Sequence, residues 1–544
     1  MQIVSRREFL AGTVAAVGAA TLAPRAAAAA DSRIEILATE VIGRIAPEVY
    51  GHFVEHLGGV VYDGIWVGEG SKIPNDGGIR RAVVEHMRRI KASVIRWPGG
   101  CFADSYDWRD GIGPRDDRPT RTNFWVGDET VPPGPQRYDP NSFGTNEFLR
   151  FCQLCGSQPY VAVNLRSLPA LAFAHWVEYV NAPAGSTTLA RQRGGEPFNV
   201  RFWGVGNESW GCGGNMTAEE YATEYRRFIA WVPNYGVPPA ITASGPSSGE
   251  LEWTRGFFQG LLKKGRGMVN SVWGWGLHHY SWNVSQGRTT DWVEGKGEAV
   301  GFPVEEWYEL LREGDKMETL ITNHWSVLGE FDPTHRVKFA VDEWGSWYRP
   351  GTQIRPEHQL GQQNTIRDAL LAGLTLDIFH RHAEKVAMAN IAQLVNCLQA
   401  LFLTDGDRFL LTPTYHVFDM YAAHQGAESL RTVVSAPRVS HQRAGKPETI
   451  WGLNGSASRS GNRVVLTIVN PAHAEARTAE ISVRGGSIAT AQWTAIADTQ
   501  LDAHNTFDNP TRVQPTSGAS QATAGRVVHT FPPASVTKIE LTLQ

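Results

Sequence analysis

Six apolar runs recur along the chain, and each closes on polar residues. They are Ala92 to Trp97, Pro159 to Asn164, Phe198 to Asn207, Ser271 to Tyr280, Val337 to Trp344 and Ala387 to Asn396. Short apolar runs rich in β-branched and aromatic residues read as strands buried on both faces, the pattern of a parallel sheet. Helical periodicity fills the intervals. "TAEEYATEYRRFIAWV" opens on Thr217 with Glu220 three residues on, which fits a capping box. "NEFLRFCQLC" is closed by Gly156, and a further helix is predicted from about His358 to His382. "GHFVEH" supplies a first strand ending near Glu55. About eight such strand–helix units over residues 49–425 predict an α/β fold, an insertion-rich (β/α)8 TIM barrel.

From residue 426 the pattern becomes all-β. "RVVLTIVNP", "AEISVRG", "ATAQWTAI" and "VTKIELTL" are short strands separated by turn residues. In the last of them Ile539, Leu541 and Leu543 alternate with polar residues, the mark of a strand with one wet face. A C-terminal all-β sandwich over 426–544 follows. The strands predicted over 31–48 are expected to join it.

The strand ends carry the chemistry. They are Arg96, Asn164, Asn207-Glu208, His278-His279-Tyr280, Asp342-Glu343 and Gln393 to Asn396. In a barrel the strand bodies fill the core and their C-terminal ends hold the reactive groups. An open doubly wound sheet also binds ligands at strand ends. No Gly-rich phosphate loop follows a strand here, which favours the barrel. Glu208 and Glu343 therefore converge on one pocket, and two carboxylates facing across a glycosidic bond do acid/base and nucleophilic work. Trp210, Trp344, Trp347 and Tyr348 stand beside them and suit the apolar faces of a sugar ring. Residues 99–145 show little periodicity and directly follow a strand end, so they are expected over the catalytic face.

Other chemistries fit less well. His52, Glu55 and His56 match the H-x-x-E-H zinc pattern, which needs a helix to put both histidines on one face. Gly51, Gly58 and Gly59 leave no room for one. No metal and no cofactor is expected. There is no Ser-centred nucleophile elbow for an esterase. The five cysteines are an odd number and a poor disulfide framework. Cys152 and Cys155 read as a packed i,i+3 pair on a helix. A net charge of −4 with 19% charged residues points to neither nucleic acid nor an anionic membrane. Residues 1–30 carry Arg6-Arg7, an Ala/Gly-rich run and small residues before Asp31, which reads as a twin-arginine signal. That predicts a periplasmic or secreted bacterial enzyme with no membrane partner after cleavage.

Taken together, "YGHFVEHLGGVVYDGIW", "VIRWPGG", "WGVGNESWG", "LHHY" and "VDEWGSWY" resemble the α-L-arabinofuranosidases of glycoside hydrolase family 51. The resemblance runs from about residue 40 to the C-terminus, in matching order and spacing. It implies retaining hydrolysis of terminal non-reducing α-L-arabinofuranosyl groups from an oligo- or polysaccharide, without a metal. It implies Glu208 as acid/base and Glu343 as nucleophile. The sugar contacts it implies are Glu55, Arg96, Asn207, Tyr280 and Gln393, with Trp347 walling the pocket. It also admits a homo-oligomer. Many relatives read "RWPGGN", where this chain has Cys101, a weak hydrogen-bond partner. Either another polar group takes over or the sugar is bound differently. Two alternatives stay open: another retaining barrel glycosidase, such as a β-xylosidase or endo-glucanase, and a non-catalytic carbohydrate-binding protein.

Overall fold

The structure is a computed structural model that describes residues 30–125 and 134–544. Eight strands close into a barrel: β1 (Gly51–Phe53), β2 (Val94–Trp97), β3 (Gln158–Val163), β4 (Phe202–Val205), β5 (Ala240–Ala243), β6 (Gly274–Ser281), β7 (Lys338–Ser346) and β8 (Val386–Ile391). Every neighbouring pair is parallel, and β8 meets β1 through Asn390–Gly51 and Ile391–His52. β5 was not among the predicted strands. Its four residues, Ala-Ile-Thr-Ala, are too few to carry a period.

Alternation along each strand sorts the side chains. Val94, Tyr160, Phe202, Ala240, Ala340 and Met388 form one buried cluster that plugs the barrel below the site. Ile95, Trp97, Trp203 and Val205 pack outward against the helix layer. The helix over Ala218–Ile229 is capped as its sequence predicts. The Thr217 side chain accepts from the Glu220 amide, and Glu220 accepts in return from the Thr217 amide. The helix predicted from about His358 starts later, at Ile366, where Thr365 and Asp368 form the cap. Before it, the Asn364 side chain bonds the Leu398 carbonyl and holds the chain as a loop.

A second, ten-stranded sheet forms the all-β sandwich. The N-terminal strand Ser32–Arg44 lies antiparallel to Glu428–Ser435 and parallel to Arg477–Arg484. Its inner face is apolar, with Ile34, Ile36, Leu430, Leu466, Ile481, Ile539 and Leu541 in one core. The helix Ile366–Arg381 is buried between this sheet and the barrel. There Asp377 accepts hydrogen bonds from Ser456, Thr467 and Tyr421. Burial pushes its carboxyl up to about 7 against those bonds.

Candidate active site

The site is built where strands end. Arg96 lies on β2, and Glu55 follows β1. Asn207 and Glu208 follow β4, Tyr280 is on β6, and Glu343 is on β7 with Trp347 just after it. Gln393 follows β8. The eight predicted site residues all stand on or just beyond these strand ends, five of them linked through Arg96 and Glu343, Glu55 paired with Gln393, and Glu208 reached through His278. The Arg96 guanidinium donates to Glu343 Oε1 at 2.7 Å and to Asn207 Oδ1 at 2.7 Å. The Tyr280 hydroxyl donates to Glu343 Oε2 at 2.7 Å. Gln393 accepts from the Glu55 amide and donates to Glu55 Oε2, both at 3.1 Å. The Trp347 ring stands edge-on to Tyr280, 5.2 Å between centroids.

Arg96 is 1% exposed, and its guanidinium is engaged by Glu343, Asn207 and Asp342. It ties those three groups together, while its Nε makes no hydrogen bond within the chain. Removing one member of a buried ion pair strands the others. Arg96→Met is therefore expected to cost about 3–5 kcal/mol of stability. Chemical denaturation checks this, and an unchanged midpoint would show that Asp342 and Glu343 find other partners.

Asp342 and Glu343 are neighbours in sequence, and on a regular strand they would face opposite ways. The pairing of β6 with β7 shifts register between Gly276–Ala340 and His278–Glu343. One residue of β6, Leu277, then opposes two of β7, Val341 and Asp342, a bulge that turns both carboxylates toward His278. His278 Nδ1 lies 3.0 Å from Glu208 Oε1 and 3.6 Å from Glu343 Oε2, and Nε2 lies 3.3 Å from Asp342 Oδ1. Burial alone would lower the histidine pKa. The charge of Glu343 and the bonds to Asp342 and Glu208 outweigh it and raise it to about 10.

A group held charged in the fold stabilises it only while it keeps its proton. For His278 that contribution is full below the ordinary histidine pKa of 6.5 and is lost as pH climbs from there toward about 10. The melting-temperature gap between wild type and His278→Gln is thus expected to narrow from pH 6 to pH 9. A gap that widened over that window would reverse the sign of the linkage.

Glu208, His278 and Glu343 offer ligand atoms within 4.8 Å of one another. The His278 ring lies between the two carboxylates, 3.0 Å from Glu208 and 3.6 Å from Glu343, and their charge favours its protonated form, so the trio reads as an ion cluster. Glu55 is buried, and its Oε1 accepts from the Gly100 and Phe102 amides, both at 3.0 Å. Burial and the charge of Glu343 raise its pKa to about 7 against those bonds.

Some expectations are corrected. Trp344 does not face the pocket; it is 1% exposed and packs on Phe379 and Phe418 outside the barrel. Tyr348 is buried and donates to Asp368. The rings that extend from Tyr280 are instead Trp347 and then Trp292, which meet at 4.7 Å, and Lys296 sits 4.0 and 4.1 Å from the Trp292 and Trp347 centroids. Trp292 and Lys296 had no sequence signal, because they lie in a loop without periodicity. His52, Glu55 and His56 lie on and after a strand, not a helix, and His56 is spent on Asp139 at 2.6 Å. Parts of the 99–145 stretch lie at the strand ends, where Asn123 bonds the His56 carbonyl and Gln359 bonds that of Trp125; residues 126–133 of it lie outside the described residues. The five cysteines, read above as a poor disulfide framework, do hold one bridge, Cys101–Cys212.

A parallel barrel with two carboxylates converging from the ends of β4 and β7 defines a barrel glycoside hydrolase. Known proteins narrow the class. A family model described as α-L-arabinofuranosidase 1 domain matches residues 86–236, and one described as α-L-arabinofuranosidase C-terminal domain matches 342–535. The chain is 36% identical to an intracellular exo-α-L-arabinofuranosidase of Bacteroides ovatus, over 87% of this chain and 88% of that one. It is 27% identical to an intracellular exo-α-(1→5)-L-arabinofuranosidase of Streptomyces lividans, over 87% and 70%. The crystal structure of the GH51 arabinofuranosidase from Xanthomonas axonopodis pv. citri superposes with a TM-score of 0.86 at 34% identity, covering 94% of this chain and all of that one. The chain belongs to glycoside hydrolase family 51, the α-L-arabinofuranosidases.

These relatives overturn the expected export. Both curated enzymes are named intracellular. An Arg pair before an Ala-rich run is a matter of composition, and it does not by itself make an export signal. Residues 1–29 lie outside the described residues, and no described helix is long and apolar enough to cross a membrane.

Proposed function

We propose that the chain is a retaining, exo-acting α-L-arabinofuranosidase that removes terminal non-reducing arabinofuranosyl groups from arabinose-containing oligo- or polysaccharides. The observation that carries the reading is the approach of Glu208 and Glu343, with one oxygen of each within 4.8 Å. A gap of at most 4.8 Å between those oxygens suits the about 5–5.5 Å between the carboxyl groups of retaining pairs, and it is short for the about 6.5–9.5 Å that leaves room for an inverting water.

Glu343 is the nucleophile. Arg96 donates to its Oε1 and Tyr280 to its Oε2, which fixes the carboxyl group in the site. It attacks the anomeric carbon as the glycosidic C–O bond breaks. The leaving oxygen takes its proton from Glu208, and an arabinosyl ester forms on Glu343. Water then attacks the ester, giving its proton to Glu208, and the configuration is retained. Asn207, oriented by Arg96, bonds the 2-hydroxyl. Glu55 and Gln393, locked to each other, take further hydroxyls, and Trp347 walls the ring.

Release of p-nitrophenol from its α-L-arabinofuranoside, β-D-xyloside and β-D-glucoside tests the reading. Fast turnover of the arabinofuranoside alone is expected. Turnover mainly of the xyloside or glucoside would keep the barrel and its carboxylates but move the specificity.

A further inference from the structure

We propose that the Cys101–Cys212 disulfide is a positioning element of the catalytic pair: it holds the turn that carries Glu208 against the segment that carries Cys101, and opening it slows turnover. The proposal rests on the acid/base reading of Glu208.

Glu208 sits beyond the end of β4, where no strand ladder fixes it. Its φ is 39°, in the left-handed region that a non-glycine residue enters only under constraint. Its carbonyl accepts from the Gly211 and Gly213 amides at 2.7 and 3.1 Å, which folds the chain back at Cys212. At Gly213 a Cβ would lie 1.7 Å from the Asn207 carbonyl oxygen, so the turn is closed tightly on itself. On the other side, Cys101 lies between the two amides that bond Glu55 Oε1. Its neighbour Gly100 packs on Glu343, where a Cβ would come 2.7 Å from Oε1. The bridge thus ties a segment registered on Glu55 and Glu343 to the turn that presents Glu208, across 111 residues of sequence.

The sulfur touches the carboxyl itself. Cys212 Sγ lies 3.7 Å from Glu208 Oε2 and 3.8 Å from Asn207 Nδ2. A cystine sulfur has no proton, so the first is a packing contact, a wall opposite the His278 ring that bonds Oε1. A dithiol reductant supplies two electrons and two protons. The S–S bond breaks, two S–H bonds form, and the reductant closes to its cyclic disulfide. The turn is then untied, and Cys212 gains a proton to donate to Glu208. Both bridge cysteines are partly exposed and within reach of the reductant, whereas Cys152, Cys155 and Cys397 are buried thiols.

The test compares oxidised and dithiothreitol-treated enzyme. Thiol titration after denaturation should count three thiols before treatment and five after it, since two of the five cysteines form the bridge. The kcat for (1→5)-linked arabinobiose, whose sugar leaving group needs the acid, is expected to fall between about 10- and 100-fold with KM nearly unchanged. The kcat for p-nitrophenyl arabinofuranoside should fall less, and reoxidation should restore both. Cys212→Ala and Cys101→Ser should resemble the reduced enzyme and ignore the reductant. Five thiols in the enzyme after oxidation, or an unchanged kcat on arabinobiose once five are counted, would overturn the proposal and leave the activity reading standing. Equal losses on both substrates would also overturn it, making the bridge a general staple. Inactivity of the oxidised enzyme on both substrates would bring down the activity reading, and the proposal with it.

Discussion

Glu343→Ala is expected to lower kcat/KM for p-nitrophenyl α-L-arabinofuranoside by about 10⁴-fold or more, because no other group can form the ester intermediate. The neighbours do not substitute. Asp342 shares the bulge, but its carboxylate is held by Tyr160 at 2.8 Å, by Arg96 and by His278. Glu208, in the mechanism proposed above, acts on the leaving-group side. The loss should persist with an activated leaving group, since the missing step is attack at carbon and not protonation. Azide supplies the decisive readout. A small anion entering the space vacated by the Glu343 carboxylate attacks from the same face and gives an arabinosyl azide of inverted configuration. Recovery of activity with the inverted product would identify Glu343 as the nucleophile. A variant that kept more than about a tenth of wild-type turnover would place the nucleophile elsewhere.

Much of this was legible in the chain, for a physical reason. A buried parallel strand has to be apolar through its body, so a polar residue at its end stands out. Arg96, Asn207-Glu208, Tyr280, Glu343 and Gln393 were visible in that way. The sandwich strand that carries Ile539 and Leu541 was visible because its two faces meet different surroundings. What the pattern hides is anything that depends on register or on distant pairing. The bulge between β6 and β7 lets Asp342 and Glu343 share a pocket and sends Trp344 out to Phe379, whereas reading outward from Glu343 put Trp344 at the sugar. His278 was visible as a strand-end residue. Its charge was not, since that depends on three carboxylates from two other strand ends. Counting cysteines could not reveal Cys101–Cys212, because three buried thiols elsewhere make the total odd.

Glu208→Ala should separate substrates rather than abolish all activity. General acid catalysis is worth about 10²–10⁴-fold, and that loss is expected on arabinobiose, whose departing alkoxide is a poor leaving group. p-Nitrophenolate leaves without help, so formation of the ester on Glu343 should slow far less. Its hydrolysis still needs a base to take the water proton, and the variant should accumulate the arabinosyl-enzyme, seen as a burst of nitrophenol. Azide needs no base. It should restore turnover of the nitrophenyl substrate and give an azide of retained configuration, the opposite of the Glu343→Ala product. The two products together place each carboxylate on its own face of the ring, which a loss of rate alone does not do. Equal losses on arabinobiose and the nitrophenyl substrate, with no azide effect, would sink the acid/base assignment. His278 would then be the next group to examine, because it is the proton-bearing side chain in contact with both carboxylates.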